Sequence, residues 1–279
     1  MLFTIFTPTY NRAYRLPDLY QSLLEQTHKD FEWVIVDDCS SDDTYELVCS
    51  WLVAKELNIT YYRQVKNGGK HRAINRGMAL ANGELFFIVD SDDYLPPTAL
   101  ATISAYWRQV AADPYCAGVA GLRMTPAGEN IGTSFKPTYL DTNSVNLRYK
   151  YGVKGDKAEV FRTSVLKAYP FPEFKGENFV TEALVFNRIA QKYYLRWFNE
   201  ATYICEYLED GLSANIQAIL AKAPQAERLY YKELACHKYV PWRMRLAAAT
   251  YVLTGYIFGT KGKYFLRSLL GKIRQFRRA

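Results

Sequence analysis

Two apolar runs in this chain end in bare carboxylates. Val34-Ile-Val36 leads into Asp37-Asp38, and Leu85-Phe-Phe-Ile-Val89 leads into Asp90-Ser-Asp-Asp93. Short apolar runs of this kind read as buried strands. Leu2 to Phe6, Phe31 to Val36, Ile59 to Tyr62 and Glu84 to Val89 are four of them. Between them lie segments of helical period: Leu16, Leu19, Tyr20, Leu23 and Leu24, then Leu47, Val48, Trp51 and Leu52, then the stretch from Arg72 to Ala81. Strand–helix alternation implies an α/β fold with parallel strands joined by right-handed crossovers. Ligands bind such sheets beyond the carboxyl ends of the strands. Both acidic clusters fall at strand ends, so the pattern predicts that they converge on one edge.

Like charges this close repel one another. Clustered Asp oxygens select hard cations, Mg²⁺ or Mn²⁺, and Mg²⁺ takes one or two carboxylates together with substrate phosphates. A metal holding a phosphate-bearing substrate therefore accounts for the cluster. A capped turn ahead of Pro96-Pro97 accounts for it equally well when Asp90-Ser-Asp-Asp93 is taken alone.

Beyond Pro97 the sequence predicts a helix to about Val110, a strand Tyr115 to Leu122, and long loops from Thr125 to Asp156. Strand, helix and strand follow at Ala158 to Arg162, Phe179 to Gln191 and Tyr194 to Phe198. Residues beyond about Ser213 read as helical. The predicted layout is an α/β domain over 1–212 followed by a basic helical extension over 213–279. That domain divides at about residue 122, where the strand–helix alternation gives way to long loops.

Charge separates these regions. The net charge is +7, yet the segment from Pro241 to Ala279 holds nine Lys/Arg and no Asp or Glu. The preceding residues are close to neutral, which excludes a nucleic-acid binder of the usual basic kind. The five cysteines are scattered, without a Cys-x-x-Cys pair, which predicts a reducing compartment and neither a disulfide framework nor a zinc site. The start of the chain lacks a charged n-region and cleavage site, predicting no signal peptide. The apolar run Leu246 to Phe258, about 13 residues, is too short to span a bilayer. In the tail, Phe265, Leu266, Leu269, Leu270, Ile273 and Phe276 recur at helical spacing among Lys and Arg. Such a helix suits an anionic membrane surface, placing the protein in the cytoplasm, peripheral to the inner face of the membrane. Packing on the catalytic domain, or on a second copy in a homo-oligomer, is the other reading.

Four motifs stand in order: Thr7-Pro-Thr-Tyr-Asn-Arg12, Val34-Ile-Val-Asp-Asp-Cys-Ser-Ser-Asp-Asp-Thr44, Asn67-Gly-Gly-Lys-His-Arg-Ala-Ile-Asn-Arg-Gly77 and Asp90-Ser-Asp-Asp93. Together they resemble the family 2 glycosyltransferases, inverting enzymes of the GT-A fold, over about the first hundred residues. The resemblance implies a Rossmann-like, mostly parallel sheet flanked by helices. It implies a catalytic domain over 1–212, in which residues 1–122 bind a nucleotide-sugar donor, with a UDP-sugar leading, and residues 123–212 bind a glycan or lipid-linked acceptor in surface polysaccharide synthesis. It implies that Thr7 and Tyr10 flank the base and that Asp38 accepts a hydrogen bond from it. Asp90 would meet the ribose or the metal shell, and Asp92, with Asp93 beside it, would bind Mn²⁺ or Mg²⁺. Lys70 and Arg72 would reach the diphosphate, or else open a helix in solvent, and His71 would cap or pack. In Phe171-Pro-Glu-Phe-Lys-Gly-Glu-Asn-Phe-Val-Thr-Glu182 the resemblance makes Glu182 the catalytic base, with Glu177 as competitor. Relatives carry a histidine where this chain has Glu206-Tyr-Leu-Glu-Asp-Gly-Leu-Ser213; Asp210 or Ser213 would replace it. Asp156 fits either a sugar contact or a turn. A sugar nucleotidyltransferase would need a Gly-rich, basic first loop, which is lacking. A binding protein on the same fold without turnover would have no need of the intact carboxylates.

Overall fold

The computed structural model describes residues 1–206 and 216–254. The first half builds a parallel core: β1 (Phe3–Thr9), β2 (Phe31–Asp37), β3 (Ile59–Arg63) and β4 (Leu85–Ile88), with α1 (Leu16–Leu24), α2 (Thr44–Ala54) and α3 (Lys70–Leu80) as crossovers. Strands buried on both faces carry near-continuous apolar sequence, and every residue of β1 and β2 is buried. Alternation along each strand sorts the core. Ile5, Trp33, Ile35 and Phe87 pack with Leu19, Leu23 and Trp51 on one face, while Phe6, Val34, Val36 and Phe86 meet Ile74 and Met78 on the other. There α3 lies close to β1, because a Cβ on Gly77 would come within 2.1 Å of the Phe6 ring.

The second half extends the same sheet. α4 (Ala99–Arg108) covers β5 (Cys116–Met124), β6 (Tyr139–Thr142) forms an edge, and α5 (Ser144–Tyr149) follows. β7 (Lys157–Arg162), α6 (Thr163–Lys167), α7 (Glu182–Ala190) and β8 (Tyr194–Ile204) complete it. The order is β3-β2-β1-β4-β7-β5-β8-β6. The sheet is mostly parallel, as expected. Its exceptions are β7, antiparallel between β4 and β5, and β6, antiparallel to β8. Strand direction follows from the path of the connection, which local pattern does not encode. One expectation is corrected here: the predicted loops over 125–156 contain β6 and α5. β6 is a short edge strand with exposed side chains, so it lacks the apolar run of a buried strand.

α8 (Ile216–Ala221) and α9 (Pro224–Cys236) follow, and residues 242–254 are helical. Leu234, Val240 and Ala248 pack on Val145 and Ala190, so these helices sit against the α5–α7 side of the sheet. Among the described residues no helix is long and apolar enough to cross a membrane. Asp210, Ser213 and the amphipathic tail lie outside the described residues.

Candidate active site

β1, β2, β4, β5 and β8 all point the same way, and β7 points back. The carboxyl ends of five strands and the amino end of the sixth therefore share one edge. A cleft of about 890 Å³ opens there, lined by both acidic clusters. That volume suits a ligand of nucleotide-sugar size.

At one end of the cleft, Asp38 is buried and organises the glycine turn before α3. Its carboxylate accepts from the Gly68 and Gly69 N–H groups at 2.7 and 2.6 Å and from Gln64 Nε2 at 2.9 Å. Burial pushes its pKa up against these bonds. Gly69 has φ of +89°, and a Cβ there would stand 1.8 Å from the Asn178 carbonyl oxygen. Only glycine permits this approach. Asp37 is structural: it accepts from the Ser40 N–H and the Tyr61 hydroxyl. Tyr10 lines the cleft with 46% of its surface exposed. Thr7 does not reach the cleft. It is buried inside β1, and its hydroxyl accepts from Trp33 Nε1 at 2.9 Å. β1 runs three residues past the apolar run, so Pro8 and Thr9 line the cleft in place of Thr7.

The second cluster follows β4. Tyr203 braces it: its hydroxyl accepts from the Asp90 N–H at 3.0 Å and donates to Asp93 Oδ2 at 2.7 Å. Asp93 also accepts from the Glu206 N–H and is only 4% exposed. Burial and the charge of Asp90 push its pKa up to about 7. Asp93 thus ties the cluster to β8 instead of presenting a free oxygen beside Asp92. Asp92 stands 4.0 Å from the Arg12 guanidinium, its pKa raised by burial and by Asp90.

Lys70, at the start of α3, joins the two halves. Its ammonium lies 2.6 Å from Asp90 and 2.8 Å from Glu182, the first residue of α7. Burial would raise the pKa of Asp90, but the Lys70 charge outweighs it and holds that carboxyl low. Lys70 and Asp90 both line the cleft, and Lys70 reaches from there to Glu182 at the start of α7.

Arg72 is not among the residues that line the cleft. Its guanidinium donates to the carbonyls of Gly68, Phe174 and Glu177 at 2.5, 2.7 and 2.9 Å and pairs with Glu173 at 3.2 Å. Helical spacing turns it away from Lys70 and onto the loop before α7. Glu177, the competing base, is buried and accepts from the Gln225 and Ala226 N–H groups at 2.7 and 3.0 Å. It caps α9. His71 is buried, and burial pushes its pKa down to about 4, as suits a packing residue. Asp156 lines the cleft.

Arg123, Asn67, Asn178 and Lys222 also line the cleft, although the sequence pattern assigns none of them a role. Arg123 lies 4.3 Å over the Tyr203 ring and donates to the Lys157 carbonyl at 3.0 Å. Beside it on β7, burial pushes Glu159 up to about 7. A signal for Arg123 exists, since it directly follows the predicted strand Tyr115 to Leu122, whose carboxyl end faces the ligand-bearing edge.

Among the described residues no three His, Cys, Asp or Glu side chains form a ready cation cage. Mg²⁺ and Mn²⁺ seldom use one. They combine one or two carboxylates with substrate phosphates. Asp92, with Asp90 beside it, offers that partial set, and crowding of their charges favours a cation.

Comparison with known proteins gives the family and the fold. The sequence profile described as "Glycosyl transferase family 2" matches residues 4–169. Poly(ribitol-phosphate) beta-N-acetylglucosaminyltransferase TarS of Staphylococcus aureus is 30% identical over 170 residues, covering 60% of this chain and 28% of that protein. The GalNAc(5)-diNAcBac-PP-undecaprenol beta-1,3-glucosyltransferase of Campylobacter jejuni is 31% identical over 184 residues, covering 63% and 56%. The chain therefore spans well under two thirds of these relatives. Among solved structures, S. aureus TarS 1–349 in complex with UDP-GlcNAc superposes with a TM-score of 0.68 at 23% identity, covering 94% of this chain and 74% of that one. The mannosyltransferase PcManGT of Pyrobaculum calidifontis, in complex with GDP-Man and Mn²⁺, gives 0.60 at 19% identity, covering 98% and 75%. These superpositions establish the GT-A fold.

Proposed function

This chain belongs to glycosyl transferase family 2, and on that premise we propose that its cleft transfers a sugar, with inversion, from a UDP-sugar to an acceptor hydroxyl. The observation that carries the reading is the Lys70 bridge. One ammonium ties Asp90, in the acidic cluster after β4, to Glu182 at the start of α7. UDP-GlcNAc in the TarS complex favours an N-acetylhexosamine or hexose donor. The polyol-phosphate and lipid-linked substrates named for the relatives favour a cell-surface glycan acceptor.

In this reading Asp38 accepts from the ring N–H of uracil while Tyr10 covers the base. Asp90 meets the ribose, and Asp92 holds a divalent metal together with the diphosphate. A bound Mn²⁺ or Mg²⁺ supplies the charge that stabilises the departing diphosphate. Glu182 takes the proton from the acceptor hydroxyl as that oxygen attacks the anomeric carbon in line. Lys70 fixes the Glu182 carboxylate toward the donor. Arg123 and Asp156, which line the cleft, would contact the sugar. Thermal melts test the donor half: Mn²⁺ with UDP should raise the Tm of the wild type, and Asp92→Ala should remove the metal-dependent share of that rise. Equal shifts in both proteins, with and without EDTA, would overturn the metal assignment.

The same reading places the C-terminal region at an anionic membrane surface, near a lipid-linked acceptor. The 242–254 helix supports it, exposing Trp242, Leu246 and Leu253 at 67%, 60% and 62% together with Arg243. Cosedimentation with anionic vesicles at low salt, lost on removing residues 241–279, is the expected result. Protein left in the supernatant would contradict it.

A further inference from the structure

Phosphate-bearing ligands need positive charge, and most of the charge in this cleft is already matched. Asp38, Asp90, Asp92, Asp93, Asp156 and Glu206 line it, against Arg12, Lys70, Arg123 and Lys222. Lys70 is held between Asp90 and Glu182. Arg123 is stacked on Tyr203 and bonded to a backbone carbonyl. Arg12 faces Asp92. Arg72 is turned onto the 173–177 loop. Lys222 differs: it is exposed, and no carboxylate pairs with it among the described residues.

Its backbone is nevertheless fixed. The Lys222 and Ala223 N–H groups close the last turn of α8 onto Ile219 and Leu220, and Ala223 is buried in the core. Just beyond, Glu177 caps α9 through Gln225 and Ala226. The Glu177 carbonyl is held by Arg72, and Arg72 holds Gly68, whose N–H binds Asp38. A chain of hydrogen bonds thus runs from the carboxylate at the nucleobase end to the segment that carries Lys222.

We propose that Lys222 is a phosphate-binding residue of the cleft, contributed by the C-terminal helices. Lysine serves phosphate as a mobile point charge, and a flexible side chain on a fixed backbone suits a group that arrives with its ligand. The inference rests on the nucleotide-sugar reading above. The phosphate belongs either to the donor diphosphate or to a phosphate-bearing acceptor.

Calorimetric titration of wild type, Lys222→Met and Lys222→Arg in Mn²⁺ separates the cases. Because the side chain is exposed, these substitutions leave the core untouched. If the donor is the source, Lys222→Met weakens UDP about tenfold, equivalent to about 1.4 kcal/mol. Uridine binding stays unchanged, and Lys222→Arg restores most of the loss. If the acceptor is the source, UDP binds all three alike, and inorganic phosphate titrated into the Mn²⁺–UDP-saturated protein binds wild type but not Lys222→Met. Identical UDP and phosphate binding in wild type and Lys222→Met overturns the assignment and leaves the donor reading intact. So does an equal loss of uridine and UDP, which would mark a structural role. A wild type that binds no UDP overturns the donor reading and this inference with it.

Discussion

Arg72→Lys separates two roles that sequence alone leaves open. A cation that binds diphosphate would tolerate lysine, losing affinity and little stability. In the structure Arg72 joins the glycine turn to the loop before α7 through three carbonyls and Glu173. Hydrogen bonds to charged groups are worth about 1.5–3 kcal/mol each. They are not additive within one network, and lysine can keep one of the three. The expected loss is therefore about 2–4 kcal/mol, or roughly 3–7 °C in Tm for a chain of this size. Ligand-free urea denaturation and thermal melts measure it. UDP affinity should fall as well, because the Gly68 and Gly69 N–H groups that orient Asp38 belong to the loosened turn. A variant with wild-type stability but weakened UDP binding would refute the clamp and return Arg72 to the phosphates.

Further outcomes follow from the same geometry. Glu182→Gln should keep UDP affinity and lose transfer by roughly 10²-fold or more, the usual scale for a general base. Glu177→Gln should instead lower Tm by weakening the α9 cap. Near-normal turnover in Glu182→Gln would move the base elsewhere. His71 adds a pH dependence of definite sign. Its folded pKa of about 4 lies below the ordinary 6.5, so between these values the unfolded chain binds a proton that the folded chain refuses. Stability then falls as pH drops, by about 2 kcal/mol from pH 6.5 to 5 for this group. Urea denaturation at pH 7 and pH 5 should show a smaller difference in His71→Leu than in wild type. Equal differences would contradict the burial argument.

What the sequence reveals tracks what is local. The strands β1, β2, β4 and β7 announce themselves through short runs rich in buried apolar residues. The acidic edge follows, since parallel strands share their carboxyl ends. Thr7 takes its expected role from the family resemblance, whereas the buried strand continues past Phe6 to Thr9 and encloses the Thr7 side chain. The clamp made by Arg72 is not legible locally because its partners lie about a hundred residues away, in a loop whose position depends on the antiparallel return of β7. Lys222 is invisible for the same reason: only the packing of α9 on Glu177 brings α8 over the cleft. Glu182 is legible through the helix it opens, but its contact with Lys70 is not.

The anomeric configuration of the first product is the most direct test of inverting transfer by this cleft. Proton NMR should follow an α-linked UDP-sugar with Mn²⁺ and wild-type protein, first with water and then with a polyol-phosphate acceptor. The predicted result is a β-configured product formed at the rate of UDP release, abolished by EDTA and strongly reduced in Glu182→Gln. An α-configured first product, or UDP release indifferent to both EDTA and Glu182→Gln, would contradict it.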